Sequence, residues 1–323
     1  MRCEFLGTGT SHGIPVIACA CHCCRSTDSR DKRFRSSLWI TEGDSLAPST
    51  SILIDMGPDF RSQALKSSIN RLDALLVTHG HADHLNGLDD IRVFSHTGSR
   101  EPPQSDGEGR VYPETEGDGL PVYGNEETLS DLRRRFSYIF LPTGEGGGRP
   151  KVKTVDCGAY GEMNPLVIGG LSVIPVPLHH GRMETVGWMV LRDYHPAGQA
   201  DGGGGLDRCR GIAYLTDCNG VPPASMELLR RFGPRLEHVV IDGLRPQPHT
   251  THFSYDQSLE LALEIGGRHS WLTHLCHDMT HVQIQGYLTE RLAFLSGDGT
   301  HPHSQKAGSF HCHPAHDGLV LEV

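Results

Sequence analysis

Three imidazoles and a carboxylate lie within six residues, His79-Gly80-His81-Ala82-Asp83-His84, directly behind the apolar run 72–77. Zinc, manganese and iron all accept neutral imidazole and carboxylate as ligands. A buried strand that hands the chain to a Gly-containing turn can aim His79 and His81 at one ion while Asp83 and His84 face a second. The competing reading is a polar turn that happens to be rich in histidine, and four ligand-type side chains at this spacing argue against it. A second cluster, Cys19-x-Cys21-x-x-Cys24, gathers three thiolates in six residues. Soft thiolates favour a closed tetrahedral zinc site, which needs one further ligand. Cys23 could replace Cys24 there, and His22 is either a supporting group or merely exposed. Buried or redox cysteines without metal are the alternative, because the spacing lacks the paired arrangement of common zinc ribbons.

The elements that must hold these groups are legible in outline. Short β-rich runs at 38–41, 51–55, 74–78, 171–175, 187–191, 212–216, 238–241 and 319–323 read as strands, and 254–264 and 280–295 read as helices. Such alternation favours an α/β chain with two sheets sandwiched between helices. Residues 98–119, 196–205 and 296–314, rich in Gly, Pro, Ser or charge, read as surface insertions. The third carries His301, His303, His311 and His313 with Cys312, and His316 follows just beyond it; this histidine-rich tail is expected to be a solvated loop. The 323-residue length allows one domain, spanning 1–323. A formal net charge of −10 speaks against a phosphate-tracking nucleic-acid surface. No apolar stretch approaches the roughly 20 residues of a membrane helix, and the N-terminus begins a strand and not a signal peptide, so a cytoplasmic protein is expected. Four of the ten cysteines crowd into 19–24, which suits metal binding better than disulfides. A homodimer is allowed.

His79-Gly-His81-Ala-Asp83-His84 is similar to the His-x-His-x-Asp-His signature of metallo-β-lactamase-fold hydrolases. The resemblance extends across nearly the whole chain. Phe5-Leu-Gly-Thr-Gly-Thr-Ser11 and the segment from Ser51 through Asp55 to Arg61 look like the two opening strands, while Pro177-Leu-His-His180-Gly181, Tyr214-Leu-Thr-Asp217, Leu272-Thr-His274 and Asp317-Gly-Leu-Val-Leu-Glu322 follow in the family's order. The fold implied is an αββα sandwich. Within this superfamily the cysteine cluster and His277 most resemble the phosphoribosyl 1,2-cyclic phosphate phosphodiesterases of the carbon-phosphorus lyase pathway.

That resemblance implies the rest of the site. His180, or its neighbour His179, joins His79 and His81 on a first catalytic metal; His274 joins Asp83 and His84 on a second; Asp217 bridges the two. His277 would close the cysteine site around a structural zinc. Asp55 matches a position that supports the centre from behind by accepting a hydrogen bond from a ligand imidazole, with an Asx-turn before Gly57 as the alternative. His252 corresponds to the family's catalytic histidine, with His249 in competition. Two divalent ions, zinc, manganese or iron, roughly 3.5–4 Å apart would share a water and present hydroxide to phosphorus or to a carbonyl carbon. A histidine would protonate the leaving alkoxide, because its ordinary pKa lies near working pH. Arg182 and Arg245 could contact substrate phosphate. The turn at Gly7 to Ser11 lacks both the Gly-x-Gly-x-x-Gly spacing and a P-loop lysine, so a tight turn beneath the site is expected. The expected activity is hydrolysis of a small cyclic phosphodiester; a thioester or lactone hydrolase, or a non-catalytic accessory protein, is the alternative.

Overall fold

The computed structural model describes residues 1–44, 47–95, 104–105, 111–112, 119–140, 149–196, 206, 208–297 and 299–323. Within them, apolar runs that are buried on both faces become strands, as expected where helices cover a sheet. One seven-stranded sheet has the order Val320–Glu322, Arg2–Gly7, Ser37–Gly43, Pro48–Ile54, Ala74–Leu76, Leu120–Gly124, Val152–Asp156. The other runs Cys312–Pro314, His269–Thr273, Leu236–Asp242, Arg210–Leu215, Met183–Arg192, Leu171–His180, Leu166–Ile168.

Side-chain alternation assigns each face. Ile52, Ile54, Ala74 and Leu76 of the first sheet pack on Val173, Trp188, Val190, Ile212, Tyr214 and Val240 of the second. Their neighbours Leu53, Leu75 and Val77 point the other way, onto Phe60, Leu85, Leu129 and Leu132 of covering helices. On the far side Ile174, Met189, Ala213, Val239 and Ile241 meet Leu229, Phe232, Leu261 and Ile265. The result is the expected αββα sandwich. Within it, Pro48–Ile54, Ala74–Leu76 and Leu120–Gly124 are mutually parallel, as are Arg210–Leu215, Leu236–Asp242 and His269–Thr273. Their carboxyl ends therefore open on the same edge of each sheet, the usual place for a site in parallel β structure.

Three expectations need correction. The second strand is Ser37–Gly43, so the segment from Ser51 begins within the third, Pro48–Ile54; residues 8–11 lie beyond the first strand, which ends at Gly7. Only the end of 296–314 departs from a surface insertion: Cys312–Pro314 pairs in parallel with His269–Thr273 and ends the second sheet, with Ala307 and Cys312 buried, while most described residues from 296 to 311 are exposed. Of the tail histidines His311 is exposed, whereas His313 lies in that strand, half-buried, with Nδ1 2.8 Å from Gln285 Oε1. A short run of residues misleads here, because Cys312-His313-Pro314 has no apolar alternation and takes its strand form from pairing. The segments 98–119 and 196–205 lie largely outside the described residues; Gln104–Ser105 and Val111–Tyr112 pair as a two-stranded ladder. Among the described residues no helix is long and apolar enough to cross a membrane.

Candidate active site

The chain turns sharply as it leaves these strand ends. Asp55, Asp217 and His274 have φ of 60°, 50° and 58°, a left-handed conformation that non-glycine residues adopt only where surroundings enforce it. Each follows a strand and swings its side chain sideways into one buried cluster. His79 follows Ala74–Leu76 by three residues, and the short helix Ala82–Leu85 carries Asp83 and His84 back over it. Gly57 allows this approach: a Cβ there would lie 1.9 Å from the Asp83 carbonyl oxygen.

Two donor sets converge. His79, His81, His180 and Asp217 offer ligand atoms within 4.8 Å of one another, and so do Asp83, His84, Asp217 and His274. Asp217 belongs to both. Its Oδ2 lies 3.2 Å from His84 Nε2 and 3.6 Å from His79 Nε2, while Oδ1 lies 3.2 Å from His274 Nε2. Asp83 Oδ2 completes the second set at 3.2 Å from His84 Nε2 and 3.7 Å from His274 Nε2. All of these side chains except His81 are buried.

Hydrogen bonds behind the cluster assign the imidazole tautomers. Asp55 Oδ2 accepts from His84 Nδ1 at 2.7 Å and from the Thr78 hydroxyl at 2.8 Å, and Thr78 Oγ1 in turn accepts from His79 Nδ1 at 3.0 Å. His180 Nδ1 donates to the Thr251 carbonyl at 2.7 Å. Each of these imidazoles thus gives its Nδ1 proton away from the cluster and keeps an Nε2 lone pair facing into it. The Nε2 atoms of His79, His84 and His274 are buried with no hydrogen-bond partner. Imidazole nitrogens and carboxylates converging in one buried place make a site that a cation satisfies. The donor set therefore fits divalent metals of the zinc, manganese or iron type.

Electrostatics point the same way. Burial disfavours charge on every member, but the imidazoles of His274 and His84 hold Asp217 well below the ordinary carboxylate range. His84 is pushed up, against burial, by Asp217, Asp83 and Asp55. His79 is simply lowered, chiefly by burial.

His252 stands at the edge of the cluster, its ring stacked on His274 with centroids 4.6 Å apart and 4.6 Å from that of His180. Its Nδ1 donates to Asp242 Oδ2 at 2.7 Å. Burial opposes its charging, yet the Asp242 carboxylate outweighs this and raises it to about 9. Asp242 also accepts the Cys218 N–H at 2.9 Å and is fully buried. Asp217, Asp242, His252 and His274 form a further close group, in which Asp242 already spends Oδ2 on two donors. Sequence reasoning missed Asp242, Thr78 and Thr251. The available signal was Asp242-Gly243 at the end of an apolar run, which reads equally as a turn.

The cysteine cluster closes separately. Sγ of Cys19, Cys21 and Cys24 lie 3.4, 3.4 and 3.5 Å from His277 Nδ1, and the four donors lie within 4.8 Å of one another. Cys23 faces elsewhere, toward the Met279 carbonyl at 3.5 Å. The Cys24 N–H, which Cys21 accepts at 3.4 Å, lowers the Cys21 thiol to about 6. His22 is exposed. His179, the rival of His180, is exposed and lies outside both donor sets. His249, the rival of His252, is half-buried with Nδ1 on the Thr251 hydroxyl at 3.2 Å. Arg182 is exposed, and Arg245 turns back to the Pro248 carbonyl at 3.5 Å. Segment Thr8 to Thr10 braces the centre: the Leu275 N–H donates to the Thr8 carbonyl and the Thr10 N–H to the Leu275 carbonyl.

Residues 50–275 match the Beta-lactamase superfamily domain. The chain is 34% identical to an Octanoyltransferase of Porphyromonas gingivalis over 86% of its own length and 46% of that protein. It is 27% identical to a Ribonuclease Z of Bradyrhizobium diazoefficiens over 43% of its length and 39% of that protein. It thus spans less than half the length of either curated relative. The crystal structure of a new diphosphatase from the PhnP family superposes with a TM-score of 0.70 at 31% identity, covering 100% of this chain and 97% of that one.

Proposed function

This chain belongs to the β-lactamase superfamily of metal-dependent hydrolases, and from that premise we propose that it is a dinuclear phosphodiesterase acting on a small cyclic phosphodiester, of phosphoribosyl 1,2-cyclic phosphate or nucleotide type. The observation that carries this reading is Asp217: one buried carboxylate whose two oxygens face different imidazoles and which joins both donor sets. His79, His81, His180 and Asp217 would hold one ion, and Asp83, His84, Asp217 and His274 the other. The cysteine set with His277 would hold a structural zinc. Divalent ions held there supply an acidified water and neutralise charge developing on the phosphoryl oxygens.

The chain's own residues do the rest. Asp217 fixes the spacing of the two sets, and Asp55 orients His84 directly and His79 through Thr78. Asp242 keeps His252 protonated at Nδ1, so that Nε2 can deliver a proton to a departing alkoxide. The net charge of −10 supports a small substrate over nucleic acid, and the lack of any disulfide among the described cysteines supports a cytoplasmic setting. The likeness to an Octanoyltransferase favours a second reading, hydrolysis at the carbonyl carbon of a thioester or lactone. Protein reloaded with manganese or zinc should be assayed against cyclic diesters, bis(p-nitrophenyl) phosphate and acyl thioesters. Cyclic diesters turned over faster than thioesters support the phosphodiesterase; thioester hydrolysis alone refutes it.

A further inference from the structure

Asn219, half-buried and two residues beyond Asp217, ties together two segments that carry reactive imidazoles. Its Oδ1 accepts the Gly181 N–H at 2.8 Å, and its Nδ2 donates to the Thr250 carbonyl at 2.8 Å. Those partners fix which end of the amide is which, because an N–H requires the oxygen and a carbonyl requires the NH₂. An amide supplies both groups at once; a carboxylate in its place could only accept. The backbone of Asn219 is pinned as well: its N–H donates to the His179 carbonyl at 2.8 Å, while the His179 N–H donates to the Gly220 carbonyl at 2.9 Å.

Each clasped segment leads into the site. Gly181, with φ of 64°, opens the turn directly behind His180, which pairs with Met183 across it. Thr250 belongs to the loop that ends in His252. From Pro246 to Thr250 that loop is exposed or half-buried, and its two prolines have no N–H with which to fasten it. The segments meet closely: a Cβ on Gly181 would lie 2.9 Å from Thr251 Cγ2, and His180 Nδ1 donates to the Thr251 carbonyl at 2.7 Å. The next residue is His252, with its ring centre 4.6 Å from that of His180. Asp242 turns the His252 ring through Nδ1, but a ring is aimed only as well as the backbone that carries it is placed. The Phe253 N–H on the Cys218 carbonyl at 3.0 Å holds that backbone on one side of His252, and the Asn219 amide holds it on the other.

Resting on the phosphodiesterase reading, we propose that Asn219 is a positioning residue for the proton-donor step: it clasps the His180 turn to the loop of His252 and so places His252 Nε2 where a departing alkoxide needs it. Asn219 holds no proton of the reaction and acts through its neighbours. Its effect falls on substrates whose leaving group takes a proton, because His79 and His84 are held from behind by Asp55 and Thr78, and His180 keeps its place at the end of the strand Leu171–His180.

The test compares wild type, Asn219→Ala and Asn219→Asp as metal-loaded full chains on adenosine 2′,3′-cyclic phosphate, whose leaving alkoxide takes a proton, and on bis(p-nitrophenyl) phosphate, whose leaving group does not. Asn219→Ala loses both bonds, whereas Asn219→Asp keeps the acceptor for Gly181 and loses the donor to Thr250. In both variants the ratio of kcat on the cyclic diester to kcat on the nitrophenyl diester should fall roughly tenfold, the order of one lost hydrogen bond or a small misplacement of a reacting group, with KM and metal content close to wild type. The pH at which Asn219→Ala loses rate should not move, because Asp242 remains on Nδ1; an unmoved limb separates lost position from lost acidity. In the zinc-loaded protein the His180 Nδ1 proton, followed by NMR, should exchange with water faster in both variants, a readout independent of turnover. An unchanged ratio in Asn219→Ala, or equal slowing of both substrates, overturns the clasp. So does a full return of the ratio in Asn219→Asp, since a carboxylate cannot donate to Thr250. These results leave the phosphodiesterase reading intact; absence of wild-type turnover on every diester instead removes that reading and the role of Asn219 with it.

Discussion

Replacing Asp242 by Asn separates the acid from the metal chemistry. Asp242 Oδ2 accepts from His252 Nδ1 at 2.7 Å in a fully buried setting, and this carboxylate, working against burial, raises the imidazole to about 9. An amide carries no charge; with its carbonyl oxygen in the Oδ2 place it still accepts from Nδ1, but without the ionic attraction. A hydrogen bond to a charged group is worth about 1.5–3 kcal/mol, and losing that charge assistance, at 1.36 kcal/mol per unit, lowers the pKa by up to about one to two units. As the proposed acid His252 would act only while protonated, so the rate on substrates with alkoxide leaving groups should fall as pH rises through its pKa. In Asp242→Asn that basic limb should move to lower pH by the same one to two units, with a rate at pH 8 reduced roughly two- to tenfold on a cyclic diester as the protonated fraction of the imidazole falls. Bis(p-nitrophenyl) phosphate, whose leaving group needs no proton, should show far less change. The assay is a pair of pH–rate profiles on both substrates, with metal content measured alongside, since Asp242 Oδ1 also lies 4.0 Å from His274 Nδ1. Equal slowing of both substrates with an unmoved basic limb, at full metal content, refutes the assignment and moves the acid elsewhere, with His249 the first candidate.

Asp217→Ala should lose metal from both donor sets and lower turnover by several orders of magnitude; a folded variant that keeps two ions by elemental analysis and near-normal activity would overturn the bridging role. Cys21→Ser should release about one zinc per chain and lower the thermal midpoint with a moderate loss of activity, whereas full zinc content and unchanged melting would remove the third site.

How much of this was legible in the sequence depended on spacing. His79 to His84 lie so close together that residue types alone suggest a cradle, and Cys19, Cys21 and Cys24 do the same. His180, Asp217, His252 and His274 are isolated at strand ends, where a lone polar residue usually caps or turns; only resemblance to a family placed them. Asp242 had the same appearance and no motif to call attention to it. Strands with continuous apolar runs, such as 51–55 and 212–216, were readable because both faces are buried. His269-Ser-Trp-Leu-Thr273 and Cys312-His-Pro314 were not, because a strand of three to five residues rich in polar groups near a sheet edge is specified by its partner's backbone, not by its own pattern. Cys23 and Cys24 could not be ranked from order alone; the short helix His22–Arg25 decides, turning Cys24 to His277 and Cys23 to the Met279 carbonyl.

The two clusters are not independent in space, and the segment from His274 to His281 shows why. Leu275 is paired in both directions with Thr8 and Thr10. Arg33, wholly buried, donates to the Cys276 carbonyl at 2.6 Å and the Met279 carbonyl at 3.3 Å, and its partner Asp31 accepts the His281 N–H at 2.6 Å. His277 faces three cysteine sulfurs. This stretch is therefore gripped by the N-terminal loop at both edges and in its middle, and its first residue is His274. A left-handed φ at His274 is costly, of order 1–3 kcal/mol, and persists only where neighbours over-determine it. The cysteine site and the Asp31–Arg33 pair are those neighbours. Their effect on chemistry is positional: they hold one imidazole of the second donor set against the Asp217 carboxylate, which an unbraced loop of the same sequence could not do.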